Sequence, residues 1–168
     1  MANMCENSVV FTGNPAAVEN VKALFKEIDE KQNETRKWHL PSCVTANFSH
    51  MQHISIDMEK INYETRWYPN FEGLIQIADH YQLDFVNNYN ELDNGLFGEA
   101  GYKKGVFTDI RLEPEDFRSY PYDKDIGLFV YERKNYSFGW SIFEKRLEQR
   151  KEAMVKLLSI QQQMGVTR

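Results

Sequence analysis

The segment from Ala2 to Ile28 constrains the fold most tightly, because a buried strand, a tight turn and a capped amphipathic helix follow one another without a gap. The run SVVFTG (8–13) is short, β-branched and aromatic, and it stops at a glycine, which predicts a central strand. Asn14 then offers a side-chain oxygen as a helix cap. Pro15 at the first helical position gives up only an N–H that would have had no partner. Val18, Val21, Leu24, Phe25 and Ile28 recur on one helical face, and that face is expected to meet the sheet.

A polar connection is expected over 39–52, followed by two antiparallel strands, HISID (53–57) and NYETRWY (62–68). Pro69 and Asn70 repeat the stop and cap. Phe71, Leu74, Ile75, Ala78 and Tyr81 then give the apolar stripe of a second helix. LDFVNNY (83–89) predicts a strand, and a hairpin is expected from about Leu96 to Tyr102 and from Val106 to Glu113, turning through Lys103, Lys104 and Gly105. In VFTDIRLE, Val106, Thr108, Ile110 and Leu112 alternate with Phe107, Asp109, Arg111 and Glu113, so one face should be buried and the other wet. LFVYER (128–133) reads as a further strand. A last helix should start near Ser141, with Ser141 and Glu144 as its capping box and Phe143, Leu147, Met154, Leu157 and Leu158 on its apolar side.

The order β-α-β-β-α-β plus a hairpin is that of an α+β, ferredoxin-like antiparallel sheet with helices over one face, an added β-hairpin and a C-terminal helix. At 168 residues, of which 42% are apolar, the chain has the size of one domain. A single domain is expected over 1–168, its core in 1–113 and an aromatic-rich segment with the last helix in 114–168. No leader-like N-terminus and no run of 18 apolar residues occurs, so a cytoplasmic protein without a membrane span is expected. Cys5 and Cys43 show no CxxC pattern and suit reduced thiols. The net charge of −5 is divided unevenly, as −4 over residues 1–83, −6 over 84–132 and +5 over 133–168. The basic C-terminal helix is expected to lie across the protein's own acids in preference to steering a partner.

ANMCENSVVFTG at the N-terminus, ETRWYPN (64–70) with its helix, and the YKKGVFTDI hairpin (102–110) together resemble the YubB-like family of ferredoxin-like proteins from plasmids, phages and bacterial mobile elements. The resemblance spans most of residues 2–113. The family start is usually Ala-Asn-Trp-Cys-x-Asn, and Met4 stands here at the Trp position. The family has no established activity, so the resemblance implies a fold and no reaction.

Asn3, Cys5 and Asn7 alternate into the first strand, which places two amides and a thiol along one edge of the sheet. A catalytic Cys5 would need a neighbouring base to form its thiolate, and no sequence neighbour supplies one, so buried structural roles are expected. In ETRWYPN, Trp67 and Tyr68 should point to opposite sides of a strand beside Arg66. One of the two rings, more readily Trp67, is expected in the core and the other at a binding groove. His39, Cys43, His50 and His53 carry zinc-type donors within 15 residues, but the spacing matches no paired-ligand site. Asp57 with Glu64 and Glu99 with Asp109 are candidate carboxylate pairs across strands. The nine aromatics of 117–143 are expected to form a satellite core more than a recognition surface. No strand carries the aromatic pattern of an RNA-recognition motif. The bases Lys145, Arg146, Arg150, Lys151 and Lys156 alternate with acids, as on an ordinary solvated helix.

The expected function is therefore a non-catalytic binding or interaction module without a cofactor, an accessory protein of a mobile element. Its binding residues would be Asn3, Cys5, Asn7, Arg66, Trp67 and Tyr68. A protein partner is expected ahead of nucleic acid, with a homodimer through the C-terminal helix if Leu157, Leu158 and Ile160 stay exposed. The alternatives are a metal- or thiol-dependent enzyme and a nucleic-acid binder using the basic helix.

Overall fold

The computed structural model describes residues 3–45, 51–118 and 122–165, with the side chains of 161–165 left aside. The chain divides into two compact units, Met1–Asp109 and Ile110–Arg168.

The first unit is built on β1 (Met4–Thr12), α1 (Pro15–Thr35), β2 (Gln52–Asp57), β3 (Lys60–Arg66), α2 (Phe71–Tyr81), β4 (Asp84–Glu91), β5 (Leu96–Lys103) and β6 (Val106–Arg111), the division falling inside β6. The sheet order is β2-β3-β1-β4-β5-β6. Strand β1 is antiparallel to both β3 and β4. The first four strands and two helices thus have the ferredoxin-like order, and the β5–β6 hairpin widens the sheet on the β4 side.

Period two sorts β1 into a buried set, Cys5, Asn7, Val9 and Phe11, and a more exposed set between them. The buried set continues as Ile61, Tyr63 and Thr65 on β3 and as Phe85, Asn87, Tyr89 and Glu91 on β4. Val21, Phe25 and Ile28 of α1 and Leu74, Ile77 and Ala78 of α2 close over this face. Apart from Ala78, each of these apolar side chains contributes about 1.5–3 kcal/mol of burial.

Asn14 caps α1 as expected, its Oδ1 accepting the N–H groups of Ala16 at 2.9 Å and Ala17 at 3.3 Å. Gly13 between strand and helix is required twice over. Its φ is +145°, and a Cβ there would lie 2.7 Å from Leu83 Cδ2. The β5–β6 hairpin turns through Lys104 and Gly105, both at positive φ, and the Lys104 N–H donates to Asp84 Oδ1 at 2.8 Å.

Two expectations for the strands are corrected. Strand β3 ends at Arg66, so Trp67 and Tyr68 are not on a strand at all. In β6 the expected split into one buried and one wet face is not seen, since Val106 to Asp109 are all exposed and only Ile110 is half-buried. Phe107 and Asp109 turn to the helix side, against the Phe71 ring and the Tyr89 hydroxyl, while Val106 is 63% exposed. As the last strand of the sheet, β6 has a neighbour on one side only.

The second unit holds a 3-10 turn at Pro114–Phe117, a three-stranded sheet of β7 (Tyr122–Asp123), β8 (Leu128–Tyr131) and β9 (Lys134–Tyr136), and α3 (Gly139–Gly165). Helix α3 begins two residues ahead of Ser141, so the Ser141–Glu144 capping box gives way to a Trp140 indole bond to Glu144 at 3.1 Å. Within the aromatic segment Phe117 packs on the buried Phe143 and the Tyr122 ring meets Phe129, while Tyr122 and Phe138 stay exposed. Tyr120 lies outside the described residues.

Candidate functional site

Where β1 begins, β3 ends and α2 begins, the helix side of the sheet turns polar. The Asn7 amide donates to Thr65 Oγ1 and to the Cys5 carbonyl, both at 3.0 Å, and the Asn87 amide donates to Asn7 Oδ1 at 3.1 Å. The Tyr63 hydroxyl donates to Asn70 Oδ1 at 2.7 Å. All of these side chains are buried. Such a network holds its members in place when each polar group is paired. Two are not, since Asn70 Nδ2 and Asn87 Oδ1 have no hydrogen-bond partner.

The network carries an exposed corner. Register pairs Met4 with Arg66 and Cys5 with Thr65. Beyond that ladder the Trp67 N–H donates to the Asn3 carbonyl at 3.0 Å, and the Tyr68 N–H folds back onto the Arg66 carbonyl at 2.8 Å. The result is a three-residue turn with Trp67 at its centre, at φ +63°. A positive φ under a bulky side chain is strained, and such a residue persists only where its surroundings fix it. Here Thr65 does so from beneath, its hydroxyl donating to the Tyr68 carbonyl at 2.8 Å. The turn leaves Trp67 51% and Tyr68 61% exposed, with Arg66 exposed beside them.

Both stretches singled out in the sequence therefore meet at one end of the sheet, although not as one surface. Asn3 supports the corner through its backbone, Cys5 and Asn7 face inward, and Arg66, Trp67 and Tyr68 face out. The expectation that one of the two rings lies in the core is overturned. The core position belongs to Tyr63, and the chain leaves the strand before either ring can follow it. Thr65 and Asn87 join the network without a motif that marks them. Period two from Tyr63 and from Phe85 would have turned Thr65 and Asn87 inward. Asn70 has the position of a cap, but its side chain makes no capping bond and instead accepts from Tyr63.

Burial pushes the Cys5 thiol up to about 12, and the carboxylates of Glu91 and Glu6 add to the rise against a hydrogen bond with Thr65. At neutral pH it is a protonated, buried thiol and no nucleophile. Cys43 is also raised by burial, and both cysteines are free.

The described zinc-type donors do not converge. The His39 ring pairs with the Thr35 hydroxyl at 2.8 Å, the His53 ring with Glu64 at 2.9 Å, and Cys43 packs against the apolar core. His50 lies outside the described residues. Among the described residues no three His, Cys, Asp or Glu side chains group around a metal position. His53 sits at φ +52° in a bulge of edge strand β2 and borders a cleft of about 290 Å³ with Gln32, Arg36 and Trp38.

The carboxylate pairs are undone by register. Asp57 stands opposite Lys60, while Glu64 stands opposite Glu6 and Gln52. Asp109 bonds Tyr89 at 2.6 Å on the face away from Glu99. On α3, Arg150 is bound to Asp116 at 2.6 Å, and Arg146 donates to the Asp116 carbonyl and lies 4.5 Å from the Tyr131 ring centroid. Lys151 pairs with Glu148 at 2.8 Å, so three of the five bases of that helix are engaged within their own unit.

Residues 45–132, just over half of the chain, match the family described as the ferredoxin-like domain in Api92-like protein. The chain belongs to this family. The resemblance to YubB-like proteins of mobile elements read from the sequence agrees with that membership. The matched residues of this Api92-like chain begin after α1, yet the sheet places β1 between β3 and β4. The corner accordingly joins the matched Arg66–Tyr68 to Asn3, which lies ahead of the match. No curated protein and no solved structure matches the chain. No described helix is long and apolar enough to cross a membrane.

Proposed function

We propose that this Api92-like chain is a non-catalytic interaction module, an accessory protein of a mobile element, whose contact surface is the Arg66–Tyr68 corner. One observation carries the reading. A tryptophan is held half exposed at a strained positive φ, on a turn fixed by Asn3 and by the buried Thr65 hydroxyl. Packing alone gives no reason to strain the backbone and leave the ring in water. Exposed Trp, Tyr and Arg are the residues that anchor protein interfaces. A protein partner is favoured over nucleic acid because part of the basic helix is bound within its own unit and Glu6 faces Glu64 on the same sheet face as Arg66.

The test is native mass spectrometry of the untagged protein purified from its host, wild type beside Trp67→Gly. Glycine keeps the positive φ and removes the ring. A stoichiometric protein partner present with the wild type and lost from the variant supports the reading. A bound metal, cofactor or nucleotide overturns it.

A second reading concerns α3. Val155, Leu157, Leu158 and Ile160 are exposed, and a second copy of the chain would cover them in a symmetric dimer.

A further inference from the structure

Strand β2 stands at the end of the sheet order, with β3 on one side and an open edge on the other. Its register sets Asp57 against Lys60, Ile56 against Ile61 and Ser55 against Asn62, and the His53 bulge ends this regular stretch. Only Met58 and Glu59 connect β2 to β3, and a two-residue connection closes on a pair that exchanges both hydrogen bonds. Asp57 and Ser55 thus bond inward to β3, while Ile54 and Ile56 turn their N–H and C=O groups to the open edge. A trough runs between this edge and α1. Gln32 and Asn33 line one part with Gln52 and His53, and Lys26 and Glu30 line the next, about 170 Å³, with Ile54 and Ile56. The helix therefore runs antiparallel to the strand, with Glu30 toward Ile54 and Lys26 toward Ile56. Both charges are exposed, and neither is paired with a described residue.

The edge is complementary to itself. An antiparallel pairing about a two-fold axis at Ser55 lets Ile54 exchange both hydrogen bonds with the partner's Ile56, and Ile56 with the partner's Ile54. These half-buried side chains, packed against the core on the helix side, then meet their counterparts over the trough. The same axis runs the two α1 helices antiparallel and sets Lys26 toward the partner's Glu30 and Glu30 toward the partner's Lys26. Moving the axis to Ile56 runs the pairing into the Met58 turn, and moving it to Ile54 runs it into the His53 bulge. We propose that the chain forms a symmetric dimer by pairing β2 with the β2 of a second copy, which joins two six-stranded sheets into one. This seam is separate from the Arg66–Tyr68 corner and from α3.

The experiment is light scattering of the full chain over a dilution series, with amide hydrogen exchange read by NMR. The wild type should have the mass of two chains, with the Ile54 and Ile56 amides protected, and should lose both on dilution while Asp57 keeps its protection. Ser55→Glu sets two carboxylates opposite each other across the axis, and because Ser55 is exposed the dispersed spectrum should persist as the dimer weakens at least about tenfold. Lys26→Glu should weaken it about tenfold by facing like charges, and adding Glu30→Lys should restore it. A monomer at every concentration overturns the proposal. So does a dimer whose Ile54 and Ile56 amides exchange freely or whose mass is indifferent to Ser55→Glu, since its seam lies elsewhere on the chain. A loss in Lys26→Glu that Glu30→Lys leaves unrepaired overturns the register about Ser55.

Discussion

Cys5 and Trp67 stand within one turn of each other in the fold and have opposite relations to water. Cys5 lies on the central strand under α2, where its ionised form is disfavoured first by desolvation and then by Glu91. Its proton is held more tightly in the folded chain than in the unfolded one. The stabilisation this gives is complete below the ordinary thiol pKa near 9 and is lost as pH rises toward 12. Stability measured by denaturant between pH 9 and 12 should therefore fall less steeply in Cys5→Ala than in the wild type, although burial also raises Tyr63 and leaves a residual slope in both. An alkylating reagent at pH 8 should label half-buried Cys43 first and reach Cys5 only on unfolding, so rapid labelling of Cys5 in folded protein would contradict this account. The period-two pattern made Cys5 and Asn7 legible as neighbours on one side. Cys5 is buried as expected, whereas the side-chain partners of Asn7 are not encoded in any local pattern. Asn7 is buried only because Thr65 and Asn87 arrive from strands 58 and 80 positions away to bond it.

The helices show how one residue type does two jobs. Asn14 and Asn70 both precede a helix, yet Asn14 caps through its side chain while Asn70 turns inward to Tyr63. Asn14→Ala should cost about 1 kcal/mol, the ordinary value of a lost cap. Asn70→Ala should cost more, about 1–3 kcal/mol, because the Tyr63 hydroxyl is left buried without an acceptor. In urea unfolding, pairing Asn70→Ala with Tyr63→Phe should recover part of that loss, and full additivity of the two would exclude the bond as its source. For β3 the sequence supported a longer strand, since Trp67 and Tyr68 are good strand formers. The Arg66 carbonyl takes the Tyr68 N–H instead, and that bond ends the ladder.

Across the chain, the uneven charge resolves partly within the second unit, where Arg150 and Arg146 of the basic helix engage Asp116 from the acidic stretch. The far half of α3 keeps exposed Val155, Leu157, Leu158 and Ile160. Deleting residues 155–168 should yield a monomer by light scattering if these side chains form a dimer seam, and an unchanged mass would end that proposal. Alternation, glycine and caps determined the element order and the ferredoxin-like class, because local periodicity and turn chemistry act within a few residues. The exposure of β6, the inward Asn70 and the exposed Trp67 were decided only in the tertiary structure. Each depends on which group a distant strand or helix brings alongside, and no local pattern encodes that partner.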